Sequence, residues 1–62
     1  MYRLKADIQK NDGLTITHYS KLHFISKDIA RSAADVLRKR LFQKRNDREI
    51  KDYTVDIIPY NR

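Results

Sequence analysis

Sixty-two residues with a net charge of +6, 40% hydrophobic and 35% charged, describe one small domain spanning residues 1–62. The absence of cysteine excludes disulfide staples and thiolate metal sites, and no run approaches the roughly 18 apolar residues of a membrane span. A chain this short buries only about 60% of the surface its unfolded form exposes, which leaves little volume for a substrate pocket.

At the amino end, Tyr2, Leu4, Ala6 and Ile8 alternate with Arg3, Lys5, Asp7 and Gln9. Period two marks a strand with one buried and one wet face, here over about 2–10. Asn11-Asp12-Gly13 reads as a three-residue hairpin loop, a type I turn closed by glycine in the left-handed conformation. That loop pairs Lys10 with Leu14, Ile8 with Ile16, Ala6 with His18, Leu4 with Ser20 and Tyr2 with Leu22. The second strand is expected over about 14–25, with Lys5 opposite Tyr19 and Arg3 opposite Lys21. Even-numbered residues of both strands then share one face, as a real hairpin requires.

Ser26 is a suitable N-cap and Asp28 suits the first turn of a helix. Ala30, Ala33, Ala34, Leu37 and Leu41 recur at helical spacing, so a helix is expected over about 27–45. Its three alanines permit a close approach to a sheet. Tyr53, Val55 and Ile57 alternate with Thr54, Asp56 and Ile58 in a third strand, about 52–59, stopped by Pro59. The fold class is α+β. A small ββαβ domain is expected, with a three-stranded antiparallel sheet of spatial order 2-1-3 and one helix on one face.

Six of the eleven residues from Arg38 to Arg48 are Lys or Arg, opposed only by Asp47. On a helix with Leu37 at the centre of its buried stripe, Arg31, Arg38 and Arg45 form a ridge at about 80–120° to one side. Lys39 points outward and Phe42 lies about 140° from the core direction, beside the ridge. Together with Arg48, these residues outline an electrostatic footprint for phosphates. The plainer reading is a solvated face whose last turn carries cations because the helix dipole favours them there, with Asp35 pairing at i±4.

The uncovered face of the sheet is expected to carry Arg3, Lys5, Thr15, Thr17, Tyr19, Lys21 and His23, with Ile58 and Tyr60 from the third strand. Cations interleaved with aromatics suit single-stranded nucleic acid, though tyrosine and threonine are good strand formers anywhere. Phe42, Tyr19, Ile58 and Tyr60 outside the core also suit a protein interface, including one with a second copy.

His18 and His23 face opposite sides of an extended segment and cannot share a metal. His18 and Ser20 share a face at about 6.5–7 Å between Cα atoms, a poor start for a nucleophile–base pair. The only glycine is used by the hairpin, so no phosphate loop exists. Asp52 and Asp56 read as edge protection on the third strand.

The expectation is a cytoplasmic, non-enzymatic binding module without cofactor or metal. Its partner is nucleic acid, DNA or RNA, or an acidic protein surface, and not a membrane. The alternative is a small regulator or inhibitor of another protein, acting alone or as a homodimer.

Overall fold

The computed structural model describes residues 1–60. The elements run β1 (Tyr2–Gln9), β2 (Thr15–Tyr19), α1 (Lys27–Asn46) and β3 (Asp52–Pro59). They form a small α+β fold: a three-stranded antiparallel sheet of order β2-β1-β3 with one helix packed on it.

The hairpin forms in the register set by its loop. Lys10 N donates to Leu14 O at 2.7 Å, Gly13 N to Lys10 O at 3.0 Å, and Gly13 has φ +93°. Asp12 Oδ1 accepts from Leu14 N at 3.0 Å, which closes the turn with a side chain. Ile8 faces Ile16, Ala6 faces His18 and Lys5 faces Tyr19.

The strand then ends earlier than expected. The Ser20 hydroxyl accepts from Leu4 N at 3.0 Å and donates to Leu22 O at 2.8 Å. This local bond gives the backbone an alternative to the ladder, and the chain leaves the sheet. It returns at Phe24, whose main chain exchanges hydrogen bonds with Tyr2 at 2.8 and 2.7 Å. The pairs Arg3 with Lys21 and Tyr2 with Leu22 therefore do not form. Because the slip is two residues, facing is preserved: Phe24 packs on the core in the place expected for Leu22, which is 71% exposed.

Helix α1 starts where the sequence places it. Ser26 accepts from Ile29 N through its hydroxyl at 3.2 Å. Ala30 and Ala34 are completely buried, and Leu41 nearly so, while Ala33 and Leu37 are half-buried. Leu4, Ala6 and Val55 of the sheet complete the core. At its carboxyl end Glu49 N donates to Lys44 O at 2.9 Å, and Arg48 takes φ +62°. That is a left-handed cap made without glycine.

The helix packs on β3 and β1 but not on β2. The helix-bearing side of β2 therefore borders an open apolar groove of about 430 Å³, lined among others by Ile8, His18, Val36 and Arg40. Among the described residues no helix is long and apolar enough to cross a membrane.

Candidate nucleic-acid interface

The expected sites fall on two opposite sides of the sheet. Arg31, Arg38, Lys39, Phe42 and Arg45 ride on α1, over the even-numbered face. Arg3, Lys5, Tyr19 and Ile58 stand on the other face, as the alternation of β1, β2 and β3 requires. Lys21 lies in the loop after β2, outside the sheet, and Arg48 lies in the turn after α1. The four residues expected at a protein interface likewise separate, with Phe42 apart from Tyr19, Ile58 and Tyr60.

The arginine ridge is not the free row expected from the sequence. Arg31 lies 3.9 Å from Asp28, Arg38 lies 3.2 Å from Asp35, and Arg45 lies 3.5 Å from Asp52. Two of these pairs are i, i+3 contacts along the helix, which compete with any external anion. All are exposed, so each contributes little and leaves its arginine exchangeable. Arg38 has a further task. Its Nη2 donates to Val55 O at 2.9 Å and ties the helix to β3. Arg45 sits over the Phe42 ring at 5.3 Å and the Tyr53 ring at 5.5 Å, so Phe42, 47% exposed, is partly covered by its own molecule.

The helix cations without a carboxylate in ion-pair range, among the described residues, are Lys27 at its start and Lys39, Arg40 and Lys44 in its second half. Arg40 and Lys44 belong to the basic run from Arg38 to Arg48 but not to the footprint expected from the sequence. Their spacing of four from each other was visible, but which arginines would find an aspartate was not.

On the open face the side chains gather into a stack. The Arg3 guanidinium lies over the Tyr19 ring at 4.4 Å and over the Tyr60 ring at 5.1 Å. Tyr60 in turn stacks on His23, with centroids 3.9 Å apart and planes at 16°. The order is Tyr19, Arg3, Tyr60, His23, drawn from β2, β1, the residue after β3 and the loop before α1. Among the described residues Arg3 Nε is buried without a hydrogen-bond partner and no carboxylate pairs with Arg3, so rings hold this cation. Both ends of the stack are open: Tyr19 is 48% exposed and His23 is exposed.

The same face changes character along its length. Lys5 is opposite Asp56, and beyond it come Asp7 and Asp52. Asp7 is held in place by Thr17 Oγ1 at 2.6 Å and Thr54 Oγ1 at 3.5 Å. Cation and aromatic character on this face is thus concentrated at the end near Arg3, while the other end carries Asp7, with Asp52 at its edge paired to Arg45 of α1.

No family model matches the chain, and no curated protein and no solved structure matches it.

Proposed function

We propose that the protein is a non-enzymatic module that binds single-stranded nucleic acid at the Arg3 end of its open sheet face. The observation that carries this reading is the Tyr19–Arg3–Tyr60–His23 stack. A base adds to either exposed end of a pre-formed π column without first ordering it, and base–aromatic stacking is worth about 1–3 kcal/mol per base. Lys5 and Lys21 flank the column and supply phosphate contacts. Asp7, farther along the same face, disfavours phosphates there and biases the strand toward the Arg3 end.

The cations on α1 lie on the other side of the sheet and act differently. Lys39, Arg40 and Lys44 add to the field that draws in an anionic partner, and they raise the association rate more than they fix geometry. Stacking on the sheet favours unpaired bases over duplex, whose bases are already stacked.

The test is fluorescence anisotropy with labelled single-stranded DNA, single-stranded RNA and duplex, at about 50 mM and about 200 mM salt. Single strands should bind more tightly than duplex, with affinity falling steeply as salt rises. Tyr19→Ala should weaken single-strand binding by about tenfold, in keeping with the loss of one stacked base. No binding at the lower salt, or a Tyr19→Ala variant with unchanged affinity, contradicts the reading.

A further inference from the structure

The two free edges of the sheet are not equivalent. Tyr60 N donates to Met1 O and Ser20 N to Leu4 O, so odd residues of β1 hydrogen-bond to β3 and even residues to β2. The main-chain groups of Tyr53, Val55 and Ile57 therefore point outward from β3, and those of Thr15, Thr17 and Tyr19 outward from β2. The β3 edge is guarded. Arg38 caps the outward carbonyl of Val55, Pro59 lacks an N–H, and Asp52 and Asp56 place charge along the strand. The β2 edge has none of these devices. Its sequence, Thr15-Ile16-Thr17-His18-Tyr19, contains no acid, lysine, arginine or proline. Among the described residues nothing bonds to its outward N–H and C=O groups.

We propose that β2 pairs antiparallel with β2 of a second copy about a two-fold axis at Thr17, giving a continuous six-stranded sheet. This proposal stands on the main chain of β2 and not on the nucleic-acid reading, but the two share Tyr19, whose side chain the pairing sets beside Thr15 of the other copy. Several observations select a second copy as the occupant. Pairing centred on Thr17 engages all three outward residues of each copy, because Thr15 meets Tyr19 of the other copy and Thr17 meets its equivalent. Threonine–threonine and aromatic–β-branched pairs are among the favourable cross-strand pairs. Although each chain carries +6, the strands that meet carry no formal charge, so no like charges face one another within the strand pair.

The axis is perpendicular to the sheet, so both helices lie on the same side of the dimer. The groove between α1 and β2 of each copy then opens toward the junction. Val36, 56% exposed on the groove, and Leu14, 62% exposed in the turn just before β2, lose water as the two halves meet. These apolar contacts matter because five residues of strand alone fall short of the roughly 1,000 Å² that stable interfaces bury.

Sedimentation equilibrium over a dilution series, up to about 1 mM protein, tests the proposal together with a Thr17→Pro variant. Proline removes an N–H that faces outward, so no main-chain bond to β1 is lost, only the side-chain bond from Thr17 Oγ1 to Asp7, and edge strands accept it. The wild type should reach twice the 7.5 kDa of one chain, and Thr17→Pro should remain at one chain with an unchanged circular dichroism spectrum. A wild type that stays at one chain throughout overturns the proposal, as does a folded Thr17→Pro variant that dimerises equally well. If Thr17→Pro does not fold, amide exchange of the wild type decides. Protection of Thr15, Thr17 and Tyr19 that rises with concentration supports the pairing, and protection independent of concentration overturns it. A wild type that stays monomeric but gains that protection from an added uncharged extended peptide assigns the edge to a foreign strand instead, which also overturns it.

Discussion

Arg31 and Arg38 stand seven residues apart on one flank of α1, each with an aspartate three residues before it. From the sequence they are equivalent. In the fold they are not, because only Arg38 reaches a main-chain carbonyl of β3. Arg38→Ala should cost about 1 kcal/mol in urea unfolding, as a partly exposed charge-assisted hydrogen bond is lost. Arg31→Ala should stay within about 0.5 kcal/mol, since its ion pair is exposed and long. Equal effects from the two substitutions would remove the distinction. Arg48 makes a different prediction. Its positive φ carries a Cβ penalty that glycine escapes, so Arg48→Gly should raise the unfolding free energy by about 1 kcal/mol. Asn11 Nδ2 donates to Arg48 O at 2.8 Å and pins the turn, and this main-chain contact survives the substitution.

At the scale of elements, the helix depends on how closely it approaches β3 and β1. Ala34 has no exposed surface, so Ala34→Leu should lower stability by about 1–3 kcal/mol through overpacking, read from the denaturant midpoint. Leu41→Ala should cost about 2–4 kcal/mol by opening a cavity at the end of the core. The elements themselves were legible in the sequence wherever a periodic pattern and a local signal agreed. The Gly13 turn fixed the hairpin register, and Ser26 fixed the helix start. The end of β2 was not legible, because it depends on one hydroxyl, that of Ser20, choosing Leu4 N and Leu22 O over solvent. Alternation continued through residues 20–24 and concealed the departure of the chain from the sheet between Ser20 and Phe24. Which edge of the sheet would be capped was equally hidden, since Arg38 gave no sign of reaching past β3.

For the whole molecule, the distribution of charge matters more than its sum. The excess of lysine and arginine is largest from Arg38 to Arg48, yet three aspartates pair with the ridge that drew attention to it. What stands out instead is Arg3, at the opposite end of the sequence and the opposite face of the sheet. Its two tyrosines are sixteen and fifty-seven residues away along the chain, and only the order β2-β1-β3 brings them together. Composition raised the expectation of an anionic partner, and in the proposed reading topology decides where such a partner would find both stacking and charge. Replacing Lys39, Arg40 and Lys44 together by alanine should lower affinity for single and double strands alike and flatten the salt dependence. Substitution in the stack should instead erase the preference for single strands.

The most direct measurement is the mapping of amide and side-chain chemical shifts as a short single-stranded oligonucleotide is added to isotope-labelled protein at low salt. The account predicts that the largest changes fall on Arg3, Tyr19, His23 and Tyr60, with smaller ones at Lys5 and Lys21. Changes confined to α1, or none at saturating oligonucleotide, would contradict it.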